Sequence, residues 1–475
     1  MNTQATQVTK EASEFVFELR YEVLAAEALK ISKRCILDGL GLILAGSLQE
    51  CTQIVRKYCT DMASATESTI FGKDPVKVSA ALAAMTNGTA GHAMDWDDTQ
   101  LSVTPDRIYG LLTHPTIPPL TACLAVSEKL ANVSGKTFLT AFLAGFEVEC
   151  KIAEAINPDH YKNGFHTSGT VGTFGAAVAA AKLLNLNIDQ LRHAIGIAAS
   201  MGAAIRANFG TMTKPLHVGQ AAHNGVTSAI LAASGFEANM DALDGPWGFF
   251  QVLGGGFDPE KIAGCFGNPH TIVDPGVSIK PYPCGVLTHP SMDAMLALVV
   301  ENDIKPEDIE KVILFAGSNI LNPIRYPVAR DELEAKFCMP FLLCAIAISR
   351  KAGVREFTPE FVNTPAVQSL MRRIRTEFDP EIEAKGWEKI RSRVEITLRD
   401  DQKLVREADE RYRGGPDHPL SNAELQSKFI DCTEQLLSGD VREKIFETLA
   451  GLEKLDAMAE FIPLVQTTIN RDVLK

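Results

Sequence analysis

Five short segments of the 475-residue sequence set ionisable side chains beside Gly, Pro or Thr. They are GHAMDWDDT (Gly91 to Thr99), LTHPT (Leu112 to Thr116), GFHTSG (Gly164 to Gly169), GTMTKPLHVG (Gly210 to Gly219) and SIKPYPCGVLTHP (Ser278 to Pro290). Such neighbours are expected in loops rather than on packed helix faces, and loops carry much of the binding and catalysis in proteins. The chemistry on offer is proton transfer by His near neutral pH and charge stabilisation by Lys214 and Lys280. Taken singly, each segment has a plain structural reading. A lone His is a hydrogen-bonding residue, a Lys before Pro is a solvated charge on extended backbone, and Asp-Trp-Asp-Asp is the acidic start of a helix. Five together point to a shared site.

Asp95, Asp97 and Asp98 admit a second chemistry, the Mg²⁺ site of a metal-dependent helical hydrolase. Against it, no second Asp/Glu-rich motif completes a cage. The run GTVGTFG (Gly169 to Gly175) superficially matches a phosphate loop, but no strand precedes it and no P-loop Lys follows. Nucleotide binding is not expected. A net charge of -13 excludes a nucleic-acid partner and an anionic membrane surface as natural readings, while leaving room for a locally cationic pocket. The ten cysteines show no C-x-x-C or Cys/His ligand spacing and read as buried hydrophobes in a reducing, cytoplasmic compartment. The apolar run from Cys35 to Ala45 is too short to span a bilayer and carries Asp38.

The elements that must position these residues fall into two regions. Leu139, Phe142, Phe146, Cys150, Ala153 and Ile156 form one helical stripe, and Asn187 with Gln190 predicts a capped helix start. Ala and Gly crowd residues 171–181, 194–204 and 221–234, so helices are expected to approach closely there. No stretch before about Gly276 alternates as a strand. Beyond Asp274, residues 309–316 predict a buried strand and 391–407 a hairpin, with helices at about 290–301, 331–351 and 365–376. After Gly414-Gly415-Pro416, Ser421 and Glu424 predict a capping box and a return to helix. The expected architecture is mainly α: a helical domain from residues 1–276 and 414–475, with an α+β lid inserted at 277–413.

The motifs HAMDWDDT, GFHTSGTVGTFGAA, NFGTMTKPLHVGQAAHNG, KPYPCGVLTHPSMDA and EAKFCMPF together resemble the MmgE/PrpD family over about residues 20–470. That family contains 2-methylcitrate dehydratase, cis-aconitate decarboxylase and iminodisuccinate epimerase. The resemblance implies a lyase for a small di- or tricarboxylate, working as a homodimer without metal or organic cofactor, or else an epimerase on a similar acid. Carried over by motif, Asp95, His114, His166, Lys214 and Lys280 are the expected catalytic residues, with Thr99, His217 and Tyr326 binding substrate. The lysines would stabilise an enolate-like dianion, the two histidines would move the proton, and Asp95 would orient a histidine or a lysine. Lys280 alone of the catalytic set lies in the insert, so one shared site would require the lid to bring it to the others, with Pro275-Gly276 and Gly414-Gly415-Pro416 as hinges. The Thr99 to His114 spacing is longer than expected for the decarboxylase branch.

Overall fold

The computed structural model describes residues 7–62, 65–101, 111–386 and 389–466. The chain is mainly α and divides into two compact units. One comprises Met1–Gln100, Leu112–Val277 and Leu425–Lys475, the other Leu101–Leu111 and Ser278–Glu424, each over its described residues.

The first unit is built on long helices: Ala26–Gly46, Ala80–Ala93, Ile117–Leu130, Gly135–Ile156, Thr167–Leu183, Ile188–Met201 and Thr213–Ala233. The last packs along both Thr167–Leu183 and Ala80–Ala93. Small residues permit this closeness. A methyl group on Gly219 would lie 2.3 Å from the Met85 carbonyl oxygen, and one on Gly225 would lie 2.5 Å from the Ala177 nitrogen. Asn187 and Gln190 form the expected reciprocal capping box. Short strands break the expected all-helical pattern before about Gly276, among them Leu111–Thr113 and Ser68–Ile70, which pairs antiparallel with Val76–Val78, in runs too short to show alternation. No helix among the described residues is long and apolar enough to cross a membrane.

The second unit holds a four-stranded sheet in the order Ile374–Phe378, Ile309–Ala316, Ser392–Leu398, Lys403–Glu407. Only the first pair is parallel. Val312, Leu314, Val394 and Ile396 bury one face with the His289–Glu301 and Met339–Ser349 helices. Two expectations are corrected here. The helix placed at 365–376 ends at Met371, and Ile374 pairs with Val312 instead, an extended choice suited to Ile and Thr376. The helix placed at 331–351 is two, Glu332–Ala335 and Met339–Ser349, because Pro340 has no N–H and fits only a first turn. Gly414-Gly415-Pro416 lies inside the second unit: Gly414 O accepts from Ile279 N, and Arg413 reaches Tyr282, Asp293 and Glu424.

Candidate active site

The acidic motif follows the C-terminal end of the Ala80–Ala93 helix rather than starting a helix, so its aspartates are not stabilised by a helix N-terminus. Asp95 sits in the left-handed region at φ 53°. That uncommon conformation turns the chain sharply, and a buried clamp holds the turn in place. Lys428, from the Asn422–Thr433 helix, pairs with Asp38 at 2.6 Å and donates to the Trp96 carbonyl at 2.9 Å. Both ends of this ion pair are buried.

His114 follows the short strand Leu111–Thr113, and its backbone N–H donates to Ser168 Oγ at 2.9 Å. Neighbouring Thr113 donates to Glu149 at 2.7 Å, and Thr116 donates from Oγ1 to Asp98 at 2.6 Å. His166 is the residue before the Thr167–Leu183 helix, with its N–H on Ala204 O. Lys214 and His217 occupy the first turns of the Thr213–Ala233 helix. Lys214 is therefore helical, not on extended backbone, because Pro215 falls early enough in the helix to leave no intrahelical bond broken.

These elements converge within the first unit. Lys214 Nζ lies 2.8 Å from Asp95 Oδ1, with both residues buried. His166 and His217 face each other with Nδ1 atoms 3.1 Å apart. The ring centres of His114 and His166 are 6.5 Å apart, and Phe209 closes edge-on over His166 at 4.9 Å. Thr99 Oγ1 is 3.3 Å from His114 Nδ1, which also lies 2.8 Å from the Asp98 carbonyl. A carbonyl can only accept, so Nδ1 of His114 carries a hydrogen.

Of the sequence-predicted residues, Asp95, Thr99, His114, His166, Lys214 and His217 are thus neighbours. Lys280 and Tyr326 belong to the second unit, where Lys280 is fully buried and Tyr326 is half-buried against that unit's core. One histidine was not singled out. His92, in the last turn of its helix, has its ring 5.0 Å from that of His114 and 5.5 Å from that of His166. Its Nδ1 lies 2.8 Å from Asp97 Oδ2. The only sequence signal was its place within GHAMDWDDT.

The electrostatics lower the proton affinity of His92, His166 and His217. Burial holds His166 well below its ordinary value, reinforced by the nearby His92, Lys214, His114 and His217. Burial, with His92 and Lys214, pushes His217 down to about 4. Burial also lowers His92, although Asp97 pulls the other way. Asp98 is raised to about 7, chiefly by burial and against the pull of its Thr116 hydrogen bond. Glu149 is raised well above the usual carboxylate range by burial.

The three aspartates do not converge as a Mg²⁺ cage: Asp95 turns to Lys214, Asp97 to His92 and Asp98 to Thr116. His92, Asp95 and His114 do offer ligand atoms within 4.8 Å of one another. The Lys214 ammonium already pairs with Asp95 of that group.

The chain thus joins a helical N-terminal region to an α+β C-terminal region. The chain belongs to the MmgE/PrpD family, whose N-terminal domain model matches residues 10–262 and whose C-terminal domain model matches residues 282–453. Among its relatives, human cis-aconitate decarboxylase is 29% identical over 457 residues, spanning 94% of this chain and 92% of the relative. The mouse protein of the same name is 29% identical over 459 residues, covering 94% and 91%. Cis-aconitate decarboxylase of Aspergillus terreus is 24% identical over 495 residues, covering 97% and 96%.

Proposed function

We propose that the chain is a lyase for a small polycarboxylate, and that it decarboxylates cis-aconitate or a close unsaturated tricarboxylate. The observation that carries this reading is the buried Lys214–Asp95 pair beside histidines that burial keeps neutral. Carboxylates arriving next to Lys214 would raise the proton affinity of the histidines around them and load one with the proton the reaction consumes.

In decarboxylation the bond between carbon and the departing carboxylate breaks and CO2 leaves. The electron pair stays on carbon and spreads through the double bond into a remaining carboxylate, where Lys214 and, in our assignment, Lys280 offset the new charge. His114 or His166 then delivers one proton to carbon and closes the balance. Thr99, His217 and Tyr326 are assigned to substrate carboxylates. The names of the relatives, over nearly the full length of both chains, support decarboxylation. A second reading, dehydration of a 2-methylcitrate-like acid, is kept because the 15-residue separation of Thr99 and His114 is longer than expected for the decarboxylase branch. We also propose a homodimer in a reducing compartment such as the cytoplasm. The ten free thiols support the compartment, and sedimentation showing monomer alone at micromolar protein would overturn the dimer.

The test is a panel of di- and tricarboxylates incubated with the purified chain in deuterium oxide. CO2 release with one deuteron fixed in the product from cis-aconitate supports the first reading, and water loss from a hydroxy-tricarboxylate supports the second. Epimerisation without loss of either, or no turnover on the whole panel, overturns the lyase assignment.

A further inference from the structure

Asp97 stands between two histidines. Its Oδ2 lies 2.8 Å from His92 Nδ1 and 3.6 Å from His114 Nδ1. The first is a buried hydrogen bond; the second is too long for one, but close enough for strong charge attraction. His92 Nε2 has no hydrogen-bond partner among the described residues and is shielded from solvent. The His92 ring meets that of His114 at 65°, edge to face, so the two imidazoles are not bonded to each other. They communicate through the carboxylate they share.

We propose that His92 is a positioning residue that sets the proton affinity of His114 by holding Asp97 in a hydrogen bond. This deepens the reading of His114 as an acid/base group and rests on it only for its catalytic consequence. With His114 neutral, its Nδ1–H rests on the Asp98 carbonyl and Asp97 is committed to His92. When His114 Nε2 takes up a proton, Asp97 is the nearest carboxylate placed to balance the imidazolium. The N–H of His92 competes for that charge. Removing the competitor frees Asp97 from that hydrogen bond and strengthens its pull on His114, whereas removing the charge leaves the imidazolium without it.

Other charged groups face this pair and are unchanged by substitution at His92. Among them are Asp95 and Lys214, which act on His92; His166 and His217, on which Lys214 also acts; and Asp98 and Glu149, hydrogen-bonded to Thr116 and Thr113 beside His114. Lys214 lowers the affinity of His92, His166 and His217 and is present in both variants below. The arrangement resembles a base oriented by a carboxylate, with a second imidazole tuning that carboxylate.

The test is a proton–nitrogen NMR titration of the imidazoles in the substrate-free full chain, with His114 assigned by His114→Gln. His92→Leu should raise the His114 midpoint by about one unit, and Asp97→Asn should lower it by about the same. His92→Asn, which keeps an N–H donor near the Nδ1 position, should leave it close to wild type. Equal midpoints in all variants, or shifts of the same sign in His92→Leu and Asp97→Asn, overturn the proposal. If His92→Leu does not fold, a lowered midpoint in Asp97→Asn with an unmoved one in His92→Asn supports it, and any other pair overturns it. The readout needs no turnover, so it is separate from the catalytic reading. That reading fails if His114→Gln retains wild-type kcat, whatever the titration gives.

Discussion

Lys214→Met removes the cation that lies against Asp95 at the site. Lys214 and Asp95 are 8% and 6% exposed, so the substitution strands a carboxylate in a poorly solvated place. Breaking a buried pair by deleting one partner destabilises by about 3–5 kcal/mol, whereas deleting both removes the stranded charge. The catalytic loss is separate: a fixed donor at developing charge is worth roughly 3–4 kcal/mol, or two to three orders of magnitude in kcat. Three variants separate these effects. Lys214→Met should melt well below wild type and turn over at about a hundredth to a thousandth of its rate. Asp95→Asn leaves a lysine that can still hydrogen-bond to an amide, and should be less destabilised. The double variant should recover much of the melting temperature lost in Lys214→Met while its kcat stays low.

The same substitution has a pH signature. Lys214 depresses His92, His166 and His217, so its loss should move any limb of the rate profile belonging to those histidines upward. Thermal melts and steady-state rates on the best substrate of the panel, from acid to alkaline pH, read all of this. A Lys214→Met protein with near-normal kcat at saturation would refute the electrostatic role. A double variant as unstable as the single would refute the stranded-charge account.

Asp98 should make stability depend on pH in an unusual direction. Its folded value is about 7 against an ordinary 3.8, so the folded state holds that proton more tightly. The contribution is full below pH 4 and is lost as pH rises through about 7, a loss of about 4 kcal/mol. Asp98→Asn should lack that decline relative to wild type, as read by denaturation midpoints at a series of pH values; parallel curves would contradict it. Lys428→Met should strand Asp38 and release the Trp96 carbonyl, lowering the melting temperature and also kcat, because the turn carrying Asp95 loses its clamp. Wild-type kinetics in a destabilised Lys428→Met protein would limit the clamp to stability. Exhaustive chelation should leave turnover unchanged; loss of activity restored by a divalent cation would revive the hydrolase-like use of His92, Asp95 and His114.

Much of the fold was legible because it rests on local rules. The stripe from Leu139 to Ile156, the Asn187 capping box and the strand Ile309–Ala316 each follow from residues close in sequence. The strand at Ile374–Phe378 was not, because its conformation is set by a parallel partner more than sixty residues away, and Ile-Arg-Thr-Glu-Phe carries no conflict with helix in isolation. The candidate site divides in the same way. Asp95, His114, His166 and Lys214 could be picked out because each stands in a segment broken by Gly, Pro or Thr. His92 stands in one of these segments too, but in the last turn of a helix crowded with Ala and Gly, where a histidine reads as packing. Its meaning depends on Asp97 folding back onto it, and that depends on the left-handed turn at Asp95 held by Lys428 from the far end of the chain. A residue whose role is to tune another can be seen only once the contact between them exists. Spacing along the chain therefore finds groups suited to chemistry more readily than the groups that set their proton affinity.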